Sequence, residues 1–389
     1  TVLGYTAVID SFKAYADGNK IVYASDYDSA KDKYAVKVSL ADSDGTAVGT
    51  EQTNATGSFD NLEVGKYKIT ATLSDGTTEK KKVEKTINIK NLDDMSAYLF
   101  VHFVDTQEDA TREQIYFSVS KDGKTWTTLN NKQPYLTSNV GTQGVRDPYI
   151  LRGEDGKFFI IATDLSVYNL KNNWTAAAQQ GSKSIVVWES SDLVNWSEAS
   201  LVKINNDNAG CTWAPEACYD PEKDEYMVFW ASVVSDDSYQ KYRIYRSYTK
   251  DFKTFSAPEL YIEEPNAVID TTIIDHEGTY YRFTKNEAKS SITMQECTSL
   301  SGDWKDVASY NLGSMTGYEG PTIYKLNGKN EWCLLLDYFS KSKGYKPFVT
   351  TDITKGEFTA DSDFSFDGTY RHGTVMPITQ AEYESLTAE

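Results

Sequence analysis

The chain has 389 residues, with 39 basic against 57 acidic side chains and a formal net charge of −18. That balance argues against nucleic acid and anionic membrane surfaces as partners, because both repel a polyanion. No apolar run is long enough to span a bilayer, three histidines exclude a His-rich zinc site, and Cys211, Cys218, Cys297 and Cys333 lack metal-ligand spacing and read as buried thiols.

Residues 1–92 read as short alternating strands, such as Tyr34 to Leu40, Tyr67 to Leu73 and Val83 to Ile89. Ser43-Asp44-Gly45 and Ser74-Asp75-Gly76 supply the turns. This pattern predicts a small immunoglobulin-like or fibronectin-like β-sandwich with a structural or spacing role, since it holds no tryptophan and no clustered acids. Asn91 to Ser96 reads as a linker to a second domain over residues 97–389.

The second domain opens with the strand Ala97 to Phe103 and then repeats one unit. Half of the unit is an apolar strand, a turn and a second apolar strand, as in Asp147 to Leu151, Glu154-Asp155-Gly156 and Phe158 to Ile161. The other half is a strand ending in Ser or Thr, then Asp, then an aromatic residue. It reads Ser120-Lys121-Asp122 to Trp126, Ser190-Ser191-Asp192 to Trp196 and Thr249-Lys250-Asp251 to Phe255. Weaker copies are Thr298-Ser299-Leu300 to Trp304 and Thr351-Asp352 to Phe358. Repeats of about fifty residues with about four short strands each predict a propeller, here all-β and five-bladed. Trp126, Trp196 and Trp304 belong to this outer repeat and are expected to pack between blades. The strand His372 to Ile378 has no later partners of its own, so the two chain ends are expected to share one blade and remove the open sheet edges.

The first strand of each blade lines a propeller's central channel. The openings of those strands are Asp147-Pro148, Pro215-Glu216, Asp270-Thr271, Glu319-Gly320-Pro321 and His372-Gly373. If these positions are equivalent, Asp147, Glu216, Asp270, Glu319 and His372 surround one pocket, where like charges shift one another's pKa values. A carboxylate pair across a glycosidic bond suffices for hydrolysis, with one protonated and one ionised. No nucleophilic Ser or Cys motif, phosphate loop or metal-ligand spacing competes with that chemistry. Trp213, Tyr318, Trp230 and Trp174 are the candidate sugar-stacking aromatics. Lys285 and Arg282, near the end of a second strand, are within potential reach. The connection from Val167 to Lys183, with Asn169, Trp174 and Gln179-Gln180-Gly181, is long and is expected to cover the site.

Arg146-Asp147-Pro148, Trp213-Ala214-Pro215-Glu216, Ile269-Asp270, Tyr318-Glu319-Gly320-Pro321 and Arg371-His372-Gly373, in this order, resemble glycoside hydrolase family 43 over residues 97–389. The resemblance implies a five-bladed propeller and an inverting mechanism. In it, Asp147 is the general base, Glu319 the general acid, and Asp270 the carboxylate that tunes and orients the acid. His372 takes the axial position, beside a water or a structural calcium ion, and no cofactor is required. Glu216 competes with Glu319 as the acid, binds sugar hydroxyls, or pairs with Arg146 or Arg371; Arg371 is placed with the substrate-binding residues. The implied activity is an exo-acting α-L-arabinofuranosidase on plant cell-wall arabinan, arabinoxylan or arabinogalactan, with a β-xylosidase or exo-galactanase as alternatives. A sugar-binding propeller without catalysis is the alternative from a different class. A secreted or cell-surface location is expected from that activity alone.

Overall fold

The computed structural model describes residues 5–27, 34–75, 78–90, 95–104 and 109–388. The linker residues 91–94 and the turn residue Gly76 lie outside them. Among the described residues the N-terminal part forms two three-stranded antiparallel sheets. One contains Lys13–Asp17, Lys20–Ala24 and Thr56–Phe59, and the other Ala35–Asp42, Gly65–Ser74 and Glu79–Ile89. Alternate residues of both sheets, including Ile21, Tyr23, Val36, Val38, Ile69 and Ala71, meet in one buried cluster.

Met95 and Ser96 already belong to the next strand, so the second domain starts two residues earlier than the pattern suggested. That domain is a five-bladed propeller. Its inner strands are Val145–Arg152, Trp213–Asp220, Val268–His276, Glu319–Lys325 and Arg371–Thr379. The first four each lead a four-stranded antiparallel sheet. The fifth, from the C-terminus, pairs antiparallel with Met95–Phe103, so both ends of the domain close one blade. That blade carries an extra outer strand, Ser365–Phe366, laid parallel on Thr125–Thr128. A C-terminal helix, Gln380–Thr387, follows with a Thr379/Glu382 capping box, and Arg152 clasps Glu382 with two hydrogen bonds of 2.7 and 2.8 Å.

Second strands read as unbroken apolar runs because both of their faces are buried. Phe158, Ile160 and Ala162 face the fifth blade, while Phe159 and Ile161 face the second. Tyr226, Val228 and Trp230 face the first blade, while Met227, Phe229 and Ala231 face the third. Trp126, Trp196 and Trp304 join such clusters between blades.

The outer repeat has a hydrogen-bonding basis. In the turn after the third strand, the Ser120 hydroxyl accepts from Gly123 N and the Asp122 carboxylate accepts from Lys124 N and Thr125 N. Ser190 with Asp192 and Thr249 with Asp251 repeat this arrangement. In the fourth blade the hydroxyl belongs to Thr350, one residue before the expected Thr351. Cys211 and Cys333 are buried, but Cys218 and Cys297 are only partly so, and all four are free thiols.

The N-terminal sheets dock on turns at the far ends of the inner and third strands, on the face opposite the strand starts. Thr86 N donates to Pro221 O at 2.6 Å, and Lys90 pairs with Glu154 at 2.9 Å. The buried Lys85 donates to Thr298 O at 2.7 Å and pairs with Glu222 at 3.1 Å. Replacing Lys85 by Ala is expected to cost about 2 kcal/mol, below the full penalty of breaking a buried pair because Glu222 keeps some solvent. Equilibrium unfolding and limited proteolysis should show the N-terminal sheets detaching before the propeller melts.

Candidate active site

Each inner strand begins with a bulge. Its pairing with the neighbouring strand shifts between Arg146 and Tyr149, Trp213 and Glu216, Ile269 and Thr271, Glu319 and Thr322, and Arg371 and Gly373. Within the first four bulges Asp147, Ala214, Asp270 and Gly320 have φ of 48°, 47°, 49° and 51°. These four are the equivalent positions, with His372 in the corresponding place of the fifth blade. Glu319 therefore sits one residue before its bulge position and Glu216 two after, which corrects the register expected from sequence. Asp tolerates the left-handed region better than most residues, whereas Ala214 is strained there. Gly320 has a further reason to be glycine, since a Cβ would lie 2.6 Å from the His372 ring.

The bulges turn their side chains onto the axis around His372. Its Nδ1 lies 2.9 Å from Asp147 Oδ1 and 3.9 Å from Asp270 Oδ2. Its Nε2 lies 3.1 Å from Glu319 Oε1, though not in line for a hydrogen bond, and 3.6 Å from Asp337 Oδ2. Asp147 and Glu319 thus lie on either side of one imidazole, which caps the separation of these two oxygens at about 8 Å, an upper limit that inverting and retaining spacings both satisfy. Thr163 Oγ1 donates to Asp147 Oδ2 at 2.8 Å and accepts from Ala214 N at 2.8 Å, which fixes the carboxylate. Gly320 N donates to Asp270 Oδ2 at 3.0 Å. Lys285 Nζ reaches Glu319 Oε2 at 2.8 Å, and Arg371 lies 3.3 Å from Glu319 Oε1 while its Nε donates to Asp337 at 2.5 Å.

These contacts split the acids electrostatically. Burial opposes charge on Asp147 and Glu319, but His372, joined at Glu319 by Lys285, outweighs it and holds both below the ordinary carboxyl range. At Asp270 burial wins against His372 and Lys285, and the carboxyl is pushed up to about 6. Burial, with Asp270 close by, pushes Glu216 well above its ordinary value. For His372 burial favours the neutral ring, yet Asp270, Glu319 and Asp147 hold it well above its ordinary value as an imidazolium.

Asp147, Glu216, Asp270, Gly320, Tyr345 and His372 are among the residues lining a narrow axial cavity with about 20 Å³ open to a water-sized sphere, room for a single water. Glu216 pairs with neither arginine considered for it. Arg146 instead bonds the buried Glu113 at 2.9 Å, and Arg371 serves Glu319 and Asp337. Asp270, Glu319 and His372 come within 4.8 Å of one another at their ligand atoms. They do not fit calcium, which takes six to eight oxygens. Here the imidazolium, Lys285 and Arg371 already crowd the carboxylates with positive charge.

Two expected stacking aromatics are elsewhere. Trp230 is fully buried between the first and second blades, where the alternation of its strand sends it. Tyr318 is buried against Tyr338, with ring centroids 4.5 Å apart. Trp213 is half-buried, stacked on Tyr242 at 5.4 Å with Trp174 edge-on at 6.2 Å. Trp174 is 46% exposed and starts the short helix Trp174–Gln179, capped by Asn173, inside the long connection. Glu113 anchors that connection by accepting from Val167 N, Tyr168 N and Ser166 Oγ, each at 3.0 Å. Lys285 enters the site, whereas Arg282 bonds Gln295 and lies over Trp304. Sequence reasoning missed Thr163, Asp337, Tyr345 and Glu113. Thr163, Lys285 and Asp337 share one signal, because each pairs with the residue before a bulge.

A family described as a probable glycosyl hydrolase domain, related to family 43, matches residues 93–384. The chain belongs to this family. Among its described residues no helix is long and apolar enough to cross a membrane. It is 30% identical over 385 residues to a protein of Bifidobacterium longum subsp. longum named alpha-L-arabinofuranosidase, over 86% of this chain and 35% of that protein. The chain therefore spans about a third of that relative's length. A thermostable family-43 glycoside hydrolase is similar at 19% identity and TM-score 0.43, over 60% of this chain and 77% of that one. The catalytic domain of a Coprinopsis cinerea GH62 alpha-L-arabinofuranosidase is similar at 17% identity and TM-score 0.42, over 59% and 71%.

The raised Asp270 gives a stability test for this site. The folded state holds its proton more tightly than the unfolded chain, so the stability involved is intact below the ordinary value of 3.8 and is lost as pH rises through about 6. Asp270→Asn removes that loss and suits the left-handed backbone. The variant should be more stable than wild type at pH 7–8, on the order of 2–3 kcal/mol, with the difference closing below about pH 4. Thermal melts across pH check this, and glycosidase activity should fall at least about 100-fold.

Proposed function

We propose that this glycoside hydrolase is an exo-acting, inverting α-L-arabinofuranosidase that releases arabinose from plant cell-wall arabinan, arabinoxylan or arabinogalactan outside the cell. The observation that carries the reading is the opposition of Asp147 and Glu319 across His372, with Asp270 beside both. Asp147, ionised and oriented by Thr163, is the base that takes a proton from water. Glu319 is the acid that protonates the leaving oxygen, and Asp270 tunes and orients it. The 30% identity to a named alpha-L-arabinofuranosidase supports the choice of sugar. Glu216, neutral in its buried setting, donates a hydrogen bond to a sugar hydroxyl, and Trp213 with Trp174 forms the apolar wall for the sugar beyond the scissile bond.

Aryl α-L-arabinofuranosides, β-xylosides and β-galactosides decide the sugar, since the same geometry serves a β-xylosidase or an exo-galactanase. Proton NMR of the first-formed anomer decides the stereochemistry, and an initial product that retains configuration refutes the inverting assignment. Asp147→Asn and Glu319→Gln should each lower kcat by about 100-fold or more while the melting transition persists. Near-normal activity in either variant removes that residue from its role. Sugar binding without turnover of any of these glycosides refutes catalysis and favours a lectin.

Trp174→Ala should raise KM for oligosaccharides about fivefold, on the order of 1 kcal/mol, with kcat little changed. Steady-state kinetics on aryl glycoside and oligosaccharide substrates separates that effect from a loss of chemistry.

A further inference from the structure

An acid catalyst must carry a proton, yet Glu319 faces three cations, with Lys285 at 2.8 Å, His372 at 3.1 Å and Arg371 at 3.3 Å. We infer that the proton Glu319 delivers is stored at rest on Nε2 of His372, which makes His372 a positioning residue acting through Glu319. This rests on the reading of Glu319 as the acid.

The geometry singles out the ring among the three cations. Arg371 cannot deprotonate in a protein. Lys285 is buried between Glu319 and Glu287 at 2.8 and 2.7 Å, and burial works against its charge less strongly than these acids and Asp270 favour it. His372 is the remaining cation, and its Nε2 lies beside the acid. That nitrogen is buried, lacks an aligned acceptor of its own and lies 3.1 Å from Glu319 Oε1, so a turn of the carboxylate would complete the pair. The other nitrogen is committed to Asp147, and Asp270 and Asp337 complete the acids facing the ring.

The step balances as follows. A bound glycoside excludes water from Glu319 and favours its neutral form. The Nε2–H bond breaks, an O–H bond forms on Oε1, and the charged pair becomes a neutral imidazole beside a carboxylic acid. The ring keeps its Nδ1 proton against Asp147. The O–H bond of Glu319 then breaks as the glycosidic oxygen takes the proton and its bond to the anomeric carbon cleaves. Water bonds that carbon and gives its proton to Asp147. Asp147 later loses this proton to solvent and Nε2 regains one, so hydrolysis is the only net change.

The test combines leaving-group dependence with direct observation of the ring. In His372→Gln, kcat should fall at least about 100-fold for an oligosaccharide or alkyl glycoside, whose leaving oxygen needs a proton. A dinitrophenyl glycoside, whose leaving group departs as the anion, should stay within about tenfold of wild type. Equal losses on both substrates would show a structural role and overturn the inference. Should that variant not fold, ¹⁵N NMR of wild type reads the ring directly, because the chain has only three histidines. His372 should be doubly protonated at neutral pH in the free protein and lose its Nε2 proton when a substrate is bound to the Asp147→Asn variant. A neutral ring in the free protein, or no loss on binding, refutes the store. Failure of wild type to cleave any aryl glycoside would instead refute the underlying glycosidase reading.

Discussion

One charged imidazole among carboxylates holds the centre of this propeller together. Five acids, Asp147, Glu216, Asp270, Glu319 and Asp337, share the axis with three cations, Lys285, Arg371 and His372. Water reaches little of this volume, so uncompensated charge there is expensive. The acids outnumber the cations, so the cluster favours keeping protons on some of them. Burial raises both Glu216 and Asp270, and Asp270, 3.9 Å from His372, gives up its proton as pH rises through about 6. The same arrangement favours the ionised form of Asp147, the state that the proposed base requires, so the electrostatics of folding and of the proposed chemistry coincide.

Holding that cluster requires backbone that departs from an ordinary strand. The bulge with a left-handed residue recurs at Asp147, Ala214, Asp270 and Gly320, so it belongs to the way inner strands enter the channel and not to the acids themselves. Ala214 makes the point, since it bears the strain and has no charge to offer. Interblade packing supplies the restoring force, because successive residues of each second strand lock into the clusters on either side. A ring of wedges fixed in this way keeps five strand starts at set separations, which a carboxylate pair across a glycosidic bond demands.

Blade number, closure by both chain ends and the chain segments that supply the axis were legible in the sequence, because they depend on repeat spacing and on where polar residues interrupt apolar runs. The Ser/Thr-x-Asp turn was legible for the same reason, as its hydrogen bonds are local. Side-chain direction near the axis was not. A bulge inserts residues without changing composition, so Glu216 and Glu319 looked equivalent to Asp147 although they flank the bulge position on opposite sides. Trp230 looked like a platform because only the pairing of its strand reveals that it faces the first blade. Asp337 and Thr163 end second strands that otherwise read as core. They become visible only once each is paired with the residue before a bulge.

The two ends of the propeller divide the work. The N-terminal sheets sit on the turns opposite the strand starts, with the buried Lys85 between Glu222 and Thr298, and so leave the catalytic mouth clear. At the mouth the long connection of the first blade is pinned from beneath. Glu113 is fully buried, accepts from two backbone amides and the Ser166 hydroxyl, and pairs with Arg146, whose guanidinium lies under the Trp174 ring at 5.3 Å. A loop held this way keeps Trp174 in place and would lose little conformational entropy on binding a ligand. Arg146 also directly precedes Asp147, so the residue that supports Trp174 and the residue proposed as the base are adjacent in the chain.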